Sequence, residues 1–201
     1  MWTLRSAQAS PFGRKVKIAA ALCGLDGRYN TVVADTTDPA DSLRQQNPLG
    51  KIPALILEDG TAIYDSRVIV EFLDGEAGGG IVIPAGPARV PVLTMQALAD
   101  GVMDASLLQV YETRFRTPET HNERWLDNQR SKVERGLAVF EANPPALSGR
   151  PNVGQIALAC ALGYQDLRFE GKWRSTYPRL VAWLDNFSAK VPSFEATRPT
   201  P

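Results

Sequence analysis

The sequence predicts a two-domain protein, with an α/β N-terminal domain built on a mixed four-stranded sheet and an all-α C-terminal domain that forms a helical bundle. Three observations support this. Strand-like and helix-like segments alternate over the first 75 residues, glycine and proline are dense between residues 75 and 91, and only helical periodicity follows. We therefore expect domains at residues 1–77 and 92–201, joined by a linker at residues 78–91.

The chain begins with a predicted strand, helix and strand. Residues 2–5 alternate as a short strand does, and Pro11 opens a helix for which Ser10 is a natural N-cap. Residues 29–34 predict a second strand, which the right-handed crossover rule makes parallel to the first. A short helix is expected around residues 40–45.

Residues 47–66 predict a turn, a β-hairpin and the start of a helix. Asn47-Pro48-Leu49-Gly50 has turn chemistry, and Asp59-Gly60 is a strong hairpin signal between the apolar segments 54–57 and 62–64. Asp65-Ser66 then supplies an N-cap for a helix that reaches about residue 74. The resulting order β-α-β-α-β-β-α is the thioredoxin-like arrangement.

The Ile52-Pro53 peptide bond leaves two alternatives open. A trans bond at a strand start is far commoner, since only about 5–6% of such bonds are cis. A cis bond would remove the conflict between proline and a central strand, and it would turn the N–H and C=O of Ile52 outward, where an extended peptide-like ligand can pair with them.

The second half predicts four helices and an irregular tail at residues 191–199. The third helix is apolar on most sides and is therefore expected in the core. The helices are predicted over residues 92–115, 118–142 and 152–167 and from Pro178 onward.

Composition excludes several function classes. Lys+Arg and Asp+Glu both number 22, so no basic excess indicates nucleic acid. Neither a long apolar segment nor a signal peptide is evident, and we expect a cytoplasmic protein without a membrane contact. His121 is the one histidine, which disfavours a His-based metal site. Cys23 and Cys160 lie in apolar helical patterns, typical of small buried residues in a reducing compartment.

Three motifs resemble the cytosolic glutathione S-transferase superfamily, and most closely its bacterial and tau-like members with a Ser-Pro-Phe start. The motifs are Ser10-Pro11-Phe12-Gly13-Arg14-Lys15-Val16, Asn47-Pro48-Leu49-Gly50-Lys51-Ile52-Pro53-Ala54-Leu55 and Asp65-Ser66. The helical half matches less specifically. Asn152-Val153-Gly154-Gln155 stands where the family usually has Ser/Thr-x-x-Asp, a departure that keeps a capable N-cap.

The resemblance implies that Ser10 is the catalytic residue, which stabilises the glutathione thiolate together with the helix N-terminus. Lowering a thiol pKa by two units takes about 2.7 kcal/mol, and a hydroxyl donor and a helix dipole each offer part of it. Two alternatives stay open: Ser10 is only an N-cap, or Ser6, earlier in the same loop, holds the thiol. Phe12 would line the sulfur site or pack in the core.

Glutathione binding is implied for residues 51–53 and for the start of the helix after the hairpin. Ile52 would pair through its backbone with the cysteinyl unit, Pro53 would be cis, and Lys51 would contact the glycyl carboxylate or the cysteinyl region. Ser66 would bind the γ-glutamyl carboxylate. Asp65 would pair with the γ-glutamyl ammonium, or it only caps the helix.

Further expectations concern two arginines, the electrophile site and the subunit contact. Arg14 reaches a ligand carboxylate or is a solvated charge, and Arg44 is a weak candidate for a basic ligand-binding residue. The electrophile site would lie between the domains, and the subunit contact of a homodimer on the helix after the hairpin. Candidates for the electrophile site are Met103, Leu107, Tyr111 and Phe115; those for the subunit contact are Arg67, Val70 and Glu71.

The predicted function is conjugation of glutathione, as co-substrate and without a metal, to a small electrophile, as in detoxification. Peroxidase or ether-cleaving activity is a possible addition. The alternative is a glutathione-binding regulatory or carrier protein with little turnover, since fold does not fix function. A thiol-disulfide oxidoreductase is disfavoured, because that chemistry needs a cysteine where this chain has Ser10.

Overall fold

The computed structural model describes residues 1–199. Its N-terminal part contains a four-stranded sheet in the order β2-β1-β3-β4, with β1 and β2 parallel and the other two pairs antiparallel. The predicted mixed sheet is thus confirmed. Its elements are β1 (Trp2–Ser6), α1 (Pro11–Leu22), β2 (Tyr29–Val33), α2 (Leu43–Gln46), β3 (Ala54–Ile56), β4 (Ala62–Ile63) and α3 (Ser66–Glu76).

The helical part follows and packs on α1. It consists of α4 (Arg89–Phe115), α5 (Glu123–Ala142), α6 (Val153–Phe169), α7 (Pro178–Lys190) and α8 (Pro192–Ala196). Helix α6 is the core helix that its apolar sequence predicts, with Ile156 and Leu158 fully buried. Its capping box is complete, because Asn152 and Gln155 each accept the other's backbone N–H through their side chains.

One hydrophobic core runs through both parts. Leu4 from the sheet, Ile18 from α1 and Ile69 from α3 are fully buried, and they belong to the same cluster as α6. Burying each such side chain stabilises the fold by about 1.5–3 kcal/mol. The sheet and the helical part are therefore held together by apolar contact across α1.

A buried carboxylate organises the linker between the two parts. Asp74 accepts backbone N–H groups from Gly80 at 2.8 Å, Val82 at 2.7 Å and Ile83 at 3.2 Å. The carbonyl of Val82 in turn accepts the N–H of Val153, 2.8 Å away, at the start of α6. The glycine-rich segment is thus tied to both parts of the molecule.

Three boundaries differ from the sequence prediction. Helix α4 begins at Arg89 because Pro91 falls in its first turn, where no backbone N–H is needed. Pro118 opens only a 3₁₀ turn, and α5 starts after Asn122, whose side chain caps it. The tail is not irregular but forms α8.

Two further points concern the chain ends and membranes. The final two positions of the predicted C-terminal domain, 200 and 201, lie outside the described residues. Within residues 1–199, no helix is both long and apolar enough to cross a membrane.

Candidate active site

Strand register brings the three sequence motifs to one edge of the sheet. Arg5 pairs with Ala54, so the loop after β1 lies beside Pro53. Leu55 pairs with Ile63, which brings the end of β4 and the start of α3 to the same edge. The loop that ends at Ser10, the Ile52-Pro53 bond and the start of α3 therefore face one region.

Ser10 is the N-cap of α1. Its Oγ accepts the backbone N–H of Gly13 at 3.1 Å, and the residue is partly exposed. A serine hydroxyl has two lone pairs and one proton. Capping uses a lone pair, and within residues 1–199 no acceptor takes the proton. The cap and a hydrogen bond to a thiolate are therefore compatible roles for this hydroxyl.

Ser6, the rival hydroxyl, lies beneath α1. Its side chain is fully buried, and its Oγ donates a long bond of 3.4 Å to the carbonyl of Ala7. A Cβ atom added at Gly13 would lie only 2.1 Å from this oxygen, so the helix packs directly on it. Ser6 is thus shielded from a bound thiol, whereas Ser10 is accessible.

The Ile52-Pro53 peptide bond is cis. Pro53 is buried and Ile52 is partly exposed. Within residues 1–199, neither the N–H nor the C=O of Ile52 has a backbone partner. Both groups remain free for an extended ligand, as the cis alternative requires.

Asn47 fixes the loop before this bond, and sequence analysis assigned it only to a turn. Its buried side chain donates to the carbonyl of Lys51 at 2.8 Å and accepts the N–H of Leu49 at 3.1 Å. Lys51 itself is exposed. Asn47 therefore sets the path of the chain into Ile52.

Arg5 holds the segment before Asn47 and was also missed. Its guanidinium donates to Asp41 at 2.7 Å, to Gln46 at 2.7 Å and to Ser42 at 2.9 Å. Backbone N–H groups of Leu43 and residue 35 also donate to Asp41, and together these bonds hold the pKa of its carboxyl below the ordinary value. A strand arginine thus anchors α2 beside the site.

Asp65 and Ser66 form the start of α3. Asp65 is exposed, and its carboxylate caps the helix by accepting the N–H of Arg67 at 2.9 Å. Ser66 is the first helical residue and is buried. The peptide bond between Tyr64 and Asp65 is also cis. Asp65 caps the helix from its exposed side, so Ser66 lies directly at the N-terminus of α3, the kind of position at which proteins bind anions.

A buried ion network ties both helix starts to α4. The ammonium of Lys15 contacts the two carboxylate oxygens of Asp100 at 2.8 and 2.9 Å, and both side chains are essentially inaccessible. Arg67, the residue after Ser66, donates to the same carboxylate at 2.9 Å. This bond also raises the pKa of Arg67. The network fixes α1 and α3 relative to the helical part.

The predicted electrophile residues separate into different environments. Met103 is fully buried in the hydrophobic core, so its side chain does not open onto a surface. Leu107 and Tyr111 are partly exposed, and the ring of Tyr111 packs edge-on against Phe115, 5.3 Å away. Phe12 is partly buried against the core.

The two candidate arginines have protein partners. Arg14 is buried; it donates to the carbonyl of Phe194 at 2.6 Å and its guanidinium lies 3.9 Å from that ring. Its guanidinium is therefore held by these contacts and is not a solvated charge. Arg44 donates to carbonyls of Thr36 and Asp38, within the loop before α2.

A small cleft separates the start of α1 from α6. It is lined by Ser10, Arg14, Cys160, Tyr164, Leu167 and Pro199, among others. Burial raises the pKa of Cys160 to about 12, which keeps this thiol protonated at neutral pH. Within the described part of the chain, no group of His, Cys, Asp and Glu could hold a metal ion.

The fold and this site define a two-domain glutathione-transferase-type protein, and comparison with known sequences agrees. Residues 9–76 match the glutathione S-transferase N-terminal domain model, and residues 123–186 match the C-terminal domain model. The chain belongs to the glutathione S-transferase family.

One relative and two structures of a second relative illustrate the match. The Escherichia coli (strain K12) "Uncharacterized GST-like protein YibF" is 33% identical over 195 residues, 94% of this chain and 95% of that protein. A glutathione transferase family member from Pseudomonas fluorescens Pf-5, solved with bound glutathione, is 45% identical with a TM-score of 0.93. A second structure from that organism, with bound S-(propanoic acid)-glutathione, is 44% identical with a TM-score of 0.89. Both structural matches cover 100% of each chain.

Proposed function

We propose that this protein binds glutathione, activates it as the thiolate and transfers it to a small electrophile. One observation carries the proposal: the hydroxyl of Ser10 caps α1 with a lone pair and keeps its proton free, at the end of the sheet where the cis Ile52-Pro53 bond also lies. The Pseudomonas fluorescens relative, solved with bound glutathione and with bound S-(propanoic acid)-glutathione, supports it.

The proposed chemistry needs no base from Ser10, because a serine alkoxide is far too basic. The hydroxyl and the helix N-terminus favour the thiolate over the thiol, which lowers the thiol pKa. The sulfur then attacks an electrophilic carbon and a C–S bond forms. In a substitution, the leaving group departs with its electron pair; in an addition to an activated alkene, the neighbouring carbon takes a proton from water.

In this proposal, glutathione lies along the edge where the three motifs meet. The N–H and C=O of Ile52 pair with the cysteinyl unit, Lys51 contacts the glycyl end, and Ser66 with the start of α3 binds the γ-glutamyl carboxylate. Pro53 holds the Ile52 groups outward and Phe12 lines the sulfur site. Asp65 contacts the γ-glutamyl ammonium while it caps α3.

A titration of thiolate absorbance against pH, on protein with bound glutathione, tests the assignment. We expect a lowered thiol pKa in the wild type, a pKa near the ordinary 8.5 in Ser10→Ala, and no change in the matched control Ser6→Ala. Turnover of 1-chloro-2,4-dinitrobenzene should fall only in Ser10→Ala. A lowered pKa that persists without the Ser10 hydroxyl would contradict the proposal.

Ser66→Ala tests the binding role separately. Loss of its hydroxyl should weaken glutathione affinity about tenfold, because a hydrogen bond to a carboxylate is lost, while the thiol pKa of the bound ligand stays low. Calorimetric titration measures the glutathione affinity of the wild type and of Ser66→Ala. An unchanged affinity would make Ser66 only the first residue of a helix.

We also propose a homodimer formed through α3 and α4. A cavity of about 210 Å³ opens on this face, lined by Arg67, Glu71, Ile83, Leu93, Gln96 and Ala97. Val68 on α3 and Val90 on α4 are exposed apolar residues of the same two helices. Val70, named from sequence as a contact, is instead fully buried. Light scattering on the purified chain should give twice the monomer mass, and a monomer would refute the dimer.

Subclass, location and domain limits complete the proposal. The Ser-Pro-Phe start favours the bacterial and tau-like members, and two free cysteines suit a cytoplasmic protein. We keep domains at residues 1–77 and 92–201, and add peroxidase or ether-cleaving activity only as side reactions.

A carrier would bind glutathione with an unshifted thiol pKa, which the same titration detects.

A further inference from the structure

We infer that Arg114 and Arg168 form an anion-selecting subsite beside Ser10, and that the electrophile is an aromatic or unsaturated small molecule that carries a carboxylate. The inference rests on the proposed function, because the subsite would receive the group that becomes attached to the glutathione sulfur.

Tyr164 places the subsite next to the catalytic loop. It lies in α6, is buried, and lines the same cleft as Ser10. Arg168 follows one helical turn later, with its guanidinium carbon 6.0 Å from the centre of the Tyr164 ring. From α4, Arg114 lies 5.8 Å from the ring centre of Tyr111. Two helices thus each present an arginine on a tyrosine ring.

The two pairs lie close enough to act on the same phenol. Burial raises the pKa of Tyr164 and Tyr111 adds to that rise, whereas the charge of Arg168, a hydrogen bond from its side chain and the charge of Arg114 oppose it. Both cations therefore act on the same phenol. Since its pKa stays above the ordinary value, Tyr164 keeps its proton at neutral pH and can donate a hydrogen bond to an anion.

Neither arginine is neutralised by the protein. Within residues 1–199, no carboxylate pairs with Arg114 or Arg168, whereas nearby Arg116 pairs with Glu112 at 3.3 Å and Arg174 with Asp166 at 2.7 Å. A guanidinium binds a carboxylate through two parallel hydrogen bonds. The unpaired guanidinium groups thus match the anionic part of the ligand.

The aromatic side chains provide the other half of the match. Phe115 is 60% exposed and packs against Tyr111, so an apolar ring face remains open beside Arg114. A flat, unsaturated ligand can stack on such a face while its charged end reaches an arginine. The arginines without a carboxylate partner and the open aromatic face together indicate an aromatic or unsaturated ligand that carries a carboxylate.

If Arg114 and Arg168 only stabilised their helices, their replacement would have a different effect. Both arginines lie in the last turn of their helices, where a positive charge is stabilised by the helix dipole. That role would change stability when they are replaced, but it would not discriminate between charged and neutral ligands. Ligand discrimination is therefore the informative measurement.

The test compares two glutathione conjugates of equal shape by calorimetric titration of the full chain. The probes are S-(4-carboxybenzyl)glutathione and its neutral amide, S-(4-carbamoylbenzyl)glutathione. We expect the acid to bind about tenfold more tightly than the amide, with a smaller ratio at high salt. The ratio should approach one in Arg114→Gln/Arg168→Gln. Arg135→Gln, an exposed arginine on α5, is the matched charge control and should keep the ratio.

Each outcome bears on the inference. Equal affinities in the wild type, with glutathione still bound, overturn the subsite and leave the proposed function standing. A preference for the acid that survives in the double variant overturns the assignment to these arginines. Failure to bind glutathione or either conjugate overturns the proposed function and the subsite with it.

Discussion

Asp100→Ala should destabilise the protein more than any other single change at the junction of the two parts. The carboxylate of Asp100 receives two bonds from Lys15, at 2.8 and 2.9 Å, and one from Arg67 at 2.9 Å. The Lys15 side chain is 0% exposed, so its ammonium would be left buried without a counter-charge. Breaking such a pair costs about 3–5 kcal/mol.

Arg67 should add little to that loss. Its side chain is 51% exposed and can turn to water, where an ion pair contributes about 1 kcal/mol or less. The expected total is thus still about 3–5 kcal/mol, a large fraction of the stability of an ordinary protein. Urea unfolding, followed by circular dichroism and tryptophan fluorescence, measures the free energy of unfolding.

Two variants make the result decisive. Asp104→Ala removes a carboxylate one turn further along α4 that forms no ion pair within residues 1–199, and it should leave stability unchanged or slightly higher. Lys15→Met/Asp100→Leu removes both buried charges and should recover most of the loss. A loss below about 1 kcal/mol in Asp100→Ala, or a double variant as unstable as the single, would refute the argument from an uncompensated charge.

Three further predictions use other parts of the structure. Gly13→Ala should lower the free energy of unfolding in urea by about 1–3 kcal/mol, because the new Cβ would lie 2.1 Å from Ser6 Oγ. Adding Ser6→Ala should recover part of this loss. A Gly13→Ala variant that is more stable than the wild type, through its better helix propensity, would contradict the close packing. Burial raises the pKa of Cys23 to about 11 and that of Cys160 to about 12. At pH 8, an aromatic disulfide reagent should therefore react with neither thiol quickly until denaturant is added. Rapid reaction of one thiol per native chain would contradict this prediction. Partial desolvation, and then Asp100, raise the pKa of Asp104, so the contribution of Asp104 to stability should fall as pH rises from about 4, opposite in sign to that of Asp41, whose pKa is lowered. Asp104→Asn should remove this loss and be more stable than the wild type at pH 7 by less than about 1 kcal/mol. A variant less stable than the wild type at pH 7 would contradict the prediction.

Local signals predicted most of the fold correctly. Three of these signals depend only on residues that are neighbours in the chain, so the sequence alone is enough to predict the local structure. They are the Asp59-Gly60 turn, the proline at the start of α1 and the Asn152–Gln155 capping box. Helix α8 was missed because five residues are too few to display a period. Its position depends on tertiary packing, with Phe194 edge-on against Phe187 at 5.5 Å.

The supporting residues of the site were harder to predict because their partners are distant in sequence. Lys15 and Asp100 lie 85 residues apart, and Arg14 and Phe194 lie 180 apart. A charged residue in the first turn of a helix is usually solvated, so the pattern alone favours that interpretation. Asn47 and Arg5 likewise reveal their roles only when strand register brings their partners into reach.

The first turn and a half of α1 explains how the site is held between the two parts of the molecule. Successive residues on a helix point about 100° apart, so Arg14 and Lys15 diverge, one toward α8 and the other toward α4. Ser10 caps the same helix four residues before Arg14. A shift of the Ser10 hydroxyl relative to Tyr111 or Tyr164 would therefore strain a buried ion pair and a buried cation–ring contact at once. The end of the helix at which we propose the thiolate binds and the wall that would hold the electrophile are positioned by the same two charged side chains.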